Sequence, residues 1–320
     1  MALSSAMPPA EWLGRPYYAL DAYLKNTYGH KCYKIALDAH MTCPNRDGTL
    51  DERGCIFCSA GGSGEFAVSG SDIQAQLEAG LSLFGDKQVG QHYIAYFQAY
   101  TNTYAPPHRL RSLYVSALEH PRVCGISIAT RPDCLPEPVL ELLKELCDAY
   151  PDKFIWVELG LQTAQEKTAL LIRRGYELPC FENAMENMRK LEIPVIVHVI
   201  LGLPGETLAE MLKTIDYLNT QRPFGVKLQL LHVLEGTDLA QLYRDGFFCV
   251  LDKEEYLEIL VRCLEHLSPD IVVHRVTGDG PKEILIAPTW SRDKRGVLNS
   301  LHRKMRVENA FQGKYNFETI

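Results

Sequence analysis

The chain has 320 residues, of which 46% are hydrophobic and 23% are charged, and this balance excludes a disordered or low-complexity protein. Its 33 basic and 40 acidic side chains give a formal charge of −7 at pH 7, so the whole molecule has no basic field that would hold nucleic acid without specificity. The length admits either two medium-sized domains or one large α/β barrel.

The ten cysteines are too few for a disulfide-stapled secreted scaffold, and a chain of this length buries a core without cross-links. Residues 1–20 contain no apolar run typical of a signal peptide, and the longest apolar stretch, residues 194–204, is too short to span a bilayer. We therefore expect a cytoplasmic protein with reduced thiols and no membrane partner. In such a protein, clustered cysteines bind metal or do redox chemistry more often than they form disulfides.

Six short β-rich runs alternate with helical stretches after a predicted N-terminal extension of residues 1–30. Most of these runs are continuously apolar, which is typical of parallel strands that helices cover on both faces. The predicted strands are residues 33–40, 93–99, 123–130, 154–162, 195–203 and 226–233.

Helical segments between these strands are visible in the sequence. Residues 136–149 carry an apolar stripe from Val139 to Leu146, and another helix is predicted from Gly205 to residue 218. Six βα units predict an α/β fold, namely a partial (β/α)6 TIM-like barrel of parallel strands that falls short of the eight strands of a closed barrel.

The predicted barrel occupies residues 31–235, and no linker or repeat interrupts it. Residues 236–320 are predicted to form a small C-terminal cap with a basic tail. This cap contains one helix, residues 253–267, and one strand, residues 271–276.

Three cysteines stand together directly after the first predicted strand. Cys43, Cys55 and Cys58 have the spacing C-x11-C-x2-C, in a loop that contains Pro44 and Gly54 and shows no apolar periodicity. Loops at the carboxyl ends of parallel strands form the active-site face of such folds. These cysteines are therefore candidates for metal binding rather than for filling a core.

The spacing alone leaves two metals open. Zinc needs a fourth ligand for a closed tetrahedral site, and His40, three residues before Cys43, is a candidate. An iron–sulfur cluster is the other possibility, because three thiolates leave one iron open for a substrate or cofactor. Unpaired loop cysteines with no metal are the plain alternative.

The cysteine loop resembles that of the radical S-adenosylmethionine (SAM) enzymes, with an aromatic residue between the last two cysteines in Cys55-Ile56-Phe57-Cys58. The long first spacing is similar to that of the catalytic subunit of Elongator, and most closely to its shorter bacterial relatives of the YhcC and YtqA type. The resemblance runs from about Tyr17 to the C-terminus. Further matching stretches follow in order: FQAYTNTYAP, ISIATRPDCL, VELGLQT, HVILGLPGE and VKLQLLHVLEGTDLA.

The resemblance implies that Cys43, Cys55 and Cys58 hold a [4Fe-4S] cluster whose fourth iron is chelated by the amino and carboxylate groups of SAM. An electron from a donor such as flavodoxin or ferredoxin, passed through the cluster, then breaks the C5′–S bond. The resulting 5′-deoxyadenosyl radical abstracts a hydrogen from the substrate. The cofactors carry out this chemistry. The protein binds them, orients them and excludes water.

The resemblance also implies which residues contact SAM, chiefly at the ends of strands. Phe57 is expected beside the adenine, Gln162 at the ribose and Arg174 at the methionyl carboxylate. Each residue has a structural alternative, because a polar residue at a strand end is often a cap or turn partner. The other candidates are Gln98, Tyr100, Asn102, Thr130, Arg131, His198, Gly202 and Leu203.

This sequence departs from the Elongator pattern in two ways. Ala129 stands before the TRPD string, where Elongator-type sequences carry a glutamate, and Glu65 is a candidate to compensate, although an exposed loop glutamate is the simpler interpretation. We also expect no acetyltransferase domain, because no residues remain for it after the cap.

Candidate residues for substrate chemistry are less specific. Lys227 and His232 alternate with Gln229 on the sixth strand, so they are candidates to bind an anionic group or move a proton. Cys134, just after the third strand, is a third candidate for a residue in the cavity. The plain alternatives are a buried ion pair for Lys227 and a structural thiol for Cys134. The other cysteines are scattered without close pairing, and we expect most of them to be small buried hydrophobic residues.

The C-terminal segment 292–306 contains six basic residues and one aspartate, a local charge of +5. A solvated surface is the plain alternative, but a basic cluster on an acidic protein is what an RNA contact needs. We expect tRNA binding that weakens with salt and is lost when Arg303, Lys304 and Arg306 are neutralised. The nucleic-acid candidates are Arg292, Lys294, Arg295, Arg303, Lys304 and Arg306.

The function that the sequence favours is a radical SAM enzyme that modifies tRNA, at the wobble-uridine side chain to which the Elongator resemblance points. A peptide or a small metabolite is the alternative substrate. A non-catalytic zinc or iron–sulfur binding protein is the alternative class.

Overall fold

We describe the protein from a computed structural model that covers residues 8–62, 64–68, 70–83, 92–278 and 280–316. The chain divides into two compact units. The first unit comprises Met1–Thr27, Leu161–Leu171 and Val197–Ile320. The second unit comprises Tyr28–Gly160 and Ile172–Ile196.

Nine strands form two sheets in the described part of the chain. One sheet has seven strands in the order β1-β2-β3-β4-β5-β6-β8, and the other pairs β7 with β9. The strands are β1 (Tyr33–Leu37), β2 (Tyr93–Phe97), β3 (Val123–Thr130), β4 (Phe154–Gln162), β5 (Val195–Leu201), β6 (Gly225–Leu230), β7 (Val233–Leu234), β8 (Val272–Arg275) and β9 (Leu285–Ala287).

The described ranges also contain ten α-helices, and helices follow most of the parallel strands as the sequence predicts. They are α1 (Leu20–Tyr28), α2 (Ile73–Ser82), α3 (Pro107–Glu119), α4 (Glu137–Ala149), α5 (Glu166–Leu171), α6 (Leu178–Lys190), α7 (Leu208–Gln221), α8 (Asp238–Arg244), α9 (Lys253–His266) and α10 (Lys294–Val307). Within the described ranges, no helix has both the length and the apolar character that a membrane crossing requires.

The second unit contains the parallel pairs β1–β2 and β2–β3. Strand β3 also pairs in parallel with residues 154–159 of β4. All five residues of β2 are buried, as the continuous apolar pattern predicts. The stripe on α4 from Val139 to Leu146 is buried as well, and each such side chain contributes roughly 1.5–3 kcal/mol when it leaves water. Helices and strands of this unit thus form where the sequence places them.

In the first unit, β6 pairs in parallel with β8. The sequence assigns the strand at 271–276 to a C-terminal cap, whereas the structure makes it the seventh strand of the large sheet. The predicted domain boundaries at residues 30 and 235 remain predictions.

Helix α7 differs from its predicted bounds, and helix α10 was not predicted from the sequence. Helix α7 begins three residues later than predicted, because Thr207 is its N-cap in a capping box with Glu210 and Gly205 has a φ of 82°. The predicted basic tail is mostly the helix α10, whose buried stripe is Val297, Leu301 and Met305. Helical spacing of these three residues explains why the segment is ordered.

Candidate functional site

The cysteine loop begins after β1 and turns back on itself. The Cys43 carbonyl accepts a hydrogen bond from the Arg46 amide at 2.8 Å, and the Cys55 carbonyl accepts one from the Cys58 amide at 3.0 Å. The Gly54 amide donates to the Asn45 carbonyl at 2.6 Å and closes the intervening loop. This closure explains how cysteines twelve positions apart serve one site.

Arg46 fastens the second half of the loop. Its guanidinium donates to the backbone carbonyls of Cys58 at 2.6 Å and Ser59 at 2.7 Å. The side chain also runs past Gly54, where an added Cβ would lie 2.7 Å from the Arg46 Nε atom. Because Gly54 also has a φ of 77°, glycine is required there on both steric and conformational grounds.

Asn45 joins the cysteine loop to the turn at residues 173–175. Its side chain is 1% exposed, and its Nδ2 atom donates to the Arg173 carbonyl at 2.8 Å and approaches the Cys55 Sγ atom at 3.4 Å. The Oδ1 atom is buried and has no hydrogen-bond partner among the described residues. An added Cβ at Gly175 would lie 2.7 Å from that oxygen, so the turn packs directly on the amide.

Arg131 approaches the same turn from the end of β3. One guanidinium nitrogen donates to the Arg174 carbonyl at 2.9 Å. The Asp133 carboxylate accepts two bonds from the same guanidinium, at 2.9 and 2.7 Å. The arginine is 9% exposed, and its positive charge acts on Cys43 and Cys55.

Burial raises the pKa values of two of the three thiols. The pKa of Cys55 rises, with the positive charge of Arg131 opposing the rise, and the pKa of Cys58 rises to about 12 with Arg46 opposing it. Thiols in such an environment stay protonated until a metal takes them as thiolates. Three thiols beside two guanidinium groups fit an iron–sulfur cluster. Thiolates bind such a cluster, and the guanidinium groups suit its negative charge.

His40, the candidate fourth zinc ligand, is exposed, and its Nδ1 atom lies 3.5 Å from the Asp38 carboxylate. In the described residues, no group of three or more His, Cys, Asp or Glu side chains is arranged to hold a single metal ion. A [4Fe-4S] cluster differs from such a site, since its thiolates bind different irons.

Several predicted SAM contacts lie in the second unit near the cysteine loop. Tyr100 has a φ of 59°, donates from its hydroxyl to the Ala60 carbonyl and packs against Gly62. Asn102 is fully buried, and its amide donates to three backbone carbonyls, those of Phe97, Ala99 and Ala129. Both side chains therefore shape the loop after β2.

The other residues of the second unit that were predicted to bind SAM or act on the substrate differ in burial. Phe57 and Gln98 are half-buried, whereas Thr130 is buried and shares a hydrogen bond with Thr103. Thr103 also donates to the carbonyl of Cys134, whose thiol is 5% exposed. Burial raises the pKa of the Cys134 thiol to about 12.

Arg174 is 2% exposed, so it does not belong to a solvated helix end. Its Nε atom donates to the Tyr176 carbonyl at 2.9 Å, and its guanidinium lies 4.7 Å from the centre of the Tyr176 ring. The Tyr176 hydroxyl in turn donates to the Gly160 carbonyl. A buried, stacked guanidinium suits recognition of a carboxylate.

The first unit holds the remaining candidates. Gln162 ends β4 with a φ of 61°, and Gly202 has a φ of 85° after β5. The His198 Nδ1 atom lies 3.4 Å from the Gln229 amide nitrogen. Leu203 is buried, at 2% exposure.

The structure shows the surroundings of two residues of this unit that were predicted to act on the substrate. Lys227 is 3% exposed on β6, and the His232 Nε2 atom lies 3.1 Å from the Ser291 hydroxyl. The loop glutamate of the second unit, Glu65, accepts a hydrogen bond from Ser59.

The basic residues of the C-terminal segment divide into two groups. Arg292 donates to the backbone carbonyls of Lys282 and Leu285, and Lys304 forms ion pairs with Glu258 and Glu308, both at 2.7 Å. These two side chains have intramolecular roles. Lys294 is exposed, and among the described residues no carboxylate pairs with the exposed Arg295, Arg303 and Arg306.

Sequence reasoning missed Asn45, Arg46 and Tyr176, which hold the site together. The first two are the second and third residues after Cys43 in the string CPNRDG, so their place within the cysteine loop was the available signal. Tyr176 had no such signal, because its contacts with Arg174 depend on the turn after α5.

Two family models match this chain. The radical SAM superfamily matches residues 52–218, and the Radical_SAM C-terminal domain matches residues 223–307. The uncharacterized protein YtqA of Bacillus subtilis (strain 168) is 42% identical over 300 residues, 93% of this chain and 92% of that protein. The protein YhcC of Escherichia coli (strain K12) is 34% identical over 290 residues, with 91% and 92% covered.

More distant similarities extend to the Elongator branch. The tRNA uridine(34) acetyltransferase of Methanocaldococcus infernus is 25% identical over 169 residues, 52% of this chain and 30% of that protein. The solved structure of the Methanocaldococcus infernus Elp3 with an N-terminal deletion superposes with a TM-score of 0.66 at 16% identity, covering 88% of this chain and 64% of that chain. This likeness confirms the predicted α/β partial barrel of parallel strands.

The match to the superfamily covers the cysteines Cys55 and Cys58 and the strands β2 to β5. The YtqA and YhcC relatives extend the similarity over more than nine-tenths of the chain. The chain therefore belongs to the radical SAM superfamily and is an enzyme whose cofactors are a [4Fe-4S] cluster and S-adenosylmethionine.

Proposed function

We propose that the protein cleaves SAM reductively and directs the resulting radical at a tRNA substrate. The observation that carries the first step is the folded loop of Cys43, Cys55 and Cys58 beside the guanidinium groups of Arg46 and Arg131. When bound, the cluster and SAM supply a 5′-deoxyadenosyl radical that abstracts hydrogen. The protein holds the cofactors, orients them and keeps water out.

The chain's own residues have defined tasks in this proposal. The three thiols bind the cluster, and Arg131 and Arg46 offset its negative charge. Arg174 binds the methionyl carboxylate, because its guanidinium is buried and its carbonyl is held by Arg131. The remaining SAM contacts are proposed on the resemblance: Phe57, Gln98, Tyr100, Asn102, Thr130, Gln162, His198, Gly202 and Leu203.

Substitution of the cysteines tests the cofactor assignment. Cys43→Ala, Cys55→Ala and Cys58→Ala should each lose the absorbance near 400 nm of the anaerobically reconstituted protein and release no 5′-deoxyadenosine with dithionite. Cys180→Ala is the control, because this half-buried thiol is the third residue of α6 and lies outside the loop, and it should retain both signals. A loop variant with full iron content and normal SAM cleavage would contradict the assignment.

Two observations support our proposal of a tRNA substrate, specifically a wobble-uridine side chain. The similarity to the tRNA uridine(34) acetyltransferase indicates that class of substrate. The exposed Arg295, Arg303 and Arg306 on α10 provide a surface for phosphate groups. Reduced thiols favour the cytoplasm as the compartment, with flavodoxin or ferredoxin as the electron donor.

Nucleoside analysis tests the substrate. Total tRNA from a strain that lacks the gene should accumulate an unconverted wobble uridine, and plasmid-borne wild-type enzyme should restore the modified nucleoside, whereas the Cys55→Ala variant should not. Identical nucleoside profiles in the two strains would overturn the tRNA assignment and favour a peptide or a small metabolite. That result would leave SAM cleavage by the purified protein unaffected, so the two parts of the proposal fail separately.

A further inference from the structure

Two cysteines outside the cysteine loop meet in the second unit, although 91 residues separate them in the sequence. Cys32 directly precedes β1, and Cys124 is the second residue of β3. Their Sγ atoms lie 3.3 Å apart. The Cys124 thiol also reaches the Tyr93 carbonyl at 3.1 Å.

The pairing of β2 with β3 is irregular beside Cys124. The register of β2 against β3 shifts, because Tyr93 faces Val123 while Ile94 faces Gly125. Cys124 is therefore the extra residue of β3, and such a residue turns its side chain away from the regular alternation.

The two thiols differ in their surroundings. Cys32 is 7% exposed, whereas Cys124 is half-buried. The hydrogen bond between them lowers the pKa of Cys32 and raises that of Cys124, and the positive charge of Lys153 acts on Cys124. A thiolate at one of the two positions is therefore stabilised by a hydrogen bond from the thiol at the other.

The pair is separate from the proposed cluster ligands. Cys32 and Cys124 lie at the amino ends of β1 and β3, while Cys43, Cys55 and Cys58 follow the carboxyl end of β1. The five residues of β1 alone span roughly 16 Å. Chemistry at this pair therefore does not require the cluster thiols.

We propose that Cys32 and Cys124 are a site of reversible disulfide formation, with a hydroperoxide as the oxidant. The Cys32 thiol first releases its proton, and the thiolate attacks one oxygen of hydrogen peroxide. The O–O bond breaks, the Cys32 sulfur becomes a sulfenic acid, and the departing hydroxide takes up the released proton as the first water. The Cys124 sulfur then attacks the Cys32 sulfur, the S–O bond breaks, and the second water leaves with the Cys124 proton. Two thiols are oxidised and one peroxide is reduced, and an S–S bond of about 2.05 Å requires the sulfur atoms to approach by roughly 1.2 Å.

The full-length reconstituted protein, treated anaerobically with hydrogen peroxide, alkylated and digested with trypsin, tests this inference. The expected product is residues 32–34 linked to residues 123–144. Because the second peptide also contains Cys134, fragmentation must place the bond at Cys124. Dithiothreitol should remove the cross-link, Cys32→Ser should abolish it, and the matched variant Cys180→Ser should retain it.

Thiol counting provides a second measurement that does not depend on a variant. In the wild type, Cys32 and Cys124 should lose their reactivity toward alkylating reagent together, in a one-to-one ratio. The proposal is overturned if both remain alkylatable after the cluster cysteines have been oxidised, or if either forms its bond with another cysteine. A cross-link restricted to the two named residues supports it.

Discussion

The Asn45 amide connects the cysteine loop to carbonyl groups of a turn 128 residues further along the chain. Its N–H groups donate to the Arg173 carbonyl and approach the Cys55 sulfur, so a single side chain contacts both the Cys55 thiol and the turn that carries Arg174. The family resemblance predicts Cys55 as a cluster ligand and Arg174 as a SAM contact, and both roles stay predictions. The sequence could not identify Asn45, because its role arises only when distant segments meet.

Asn45→Ala should lower the midpoint potential of the reconstituted [4Fe-4S] cluster. An N–H donor near a cluster sulfur stabilises the reduced form, which carries more negative charge, so its loss disfavours reduction. The variant should also lose about 1–3 kcal/mol of stability, because the carbonyl partner is left buried. A redox titration followed by EPR spectroscopy measures the potential.

The control for this variant is Asn219→Ala. Asn219 also braces the backbone, donating to the His266 carbonyl and accepting from the Ser268 amide, both at 2.8 Å, but it lies in the first unit. It should reduce the melting temperature without moving the potential. If Asn45→Ala is destabilised yet keeps the wild-type potential, Asn45 only supports the fold.

At the scale of elements, apolar patterning located the strands better than it located their ends. The predicted strands 33–40 and 195–203 end at Leu37 and Leu201 in the structure. Both predictions are too long because Ala39 and Leu203 remain buried in the loops that follow, at 2% exposure each. Burial alone does not distinguish a strand from a buried loop.

Helix α9 provides a test at this scale. The Asp252 side chain accepts from the Glu255 amide at 2.8 Å, and the Asp252 amide donates to the Glu255 carboxylate at 2.9 Å. Asp252→Ala removes one of these bonds and should lower the free energy of unfolding by about 1 kcal/mol. Chemical denaturation followed by circular dichroism measures the change.

Glu254→Ala is the matched substitution, since it removes a negative charge from the same first turn without removing a capping bond. Its effect should be smaller, about 0.3 kcal/mol from the helix dipole. Equal losses for the two variants would show that charge rather than the cap stabilises α9.

The net charge of the whole molecule is −7, but α10 carries a local basic surface. Arg295, Arg303 and Arg306 fall within about 80° of one another around α10, on the side opposite the buried stripe. The sequence could count these charges, but it could not tell them from Lys304, whose ammonium pairs with two carboxylates. It also could not bring Cys32 to Cys124, because 91 residues separate them in the sequence.

The triple variant Arg295→Gln, Arg303→Gln, Arg306→Gln should weaken tRNA binding by on the order of tenfold at low salt. It should also reduce the slope of log affinity against log salt by about 2–3, since each lost phosphate contact removes slightly less than one unit. Filter binding across a salt series measures both quantities.

A triple variant with the same change in net charge is the control. Arg111→Gln, Lys144→Gln and Lys190→Gln neutralise side chains that pair with Glu145, Asp148 and Glu186, on helices other than α10. This control should retain most of the affinity. Equal losses in both triple variants would show that total charge governs binding and that α10 has no special part.

The hydrogen bond from Asn45 to Arg173 also has a consequence for biosynthesis. A ribosome adds about 5–20 residues per second, so the 128 residues from Arg46 to Arg173 take roughly 6–26 s to synthesise. During that interval the three cluster cysteines have emerged, while the turn that braces Cys55 has not. Iron delivered to the growing chain would meet an unbraced loop, so the order of synthesis favours cluster loading after residue 175 has left the ribosome.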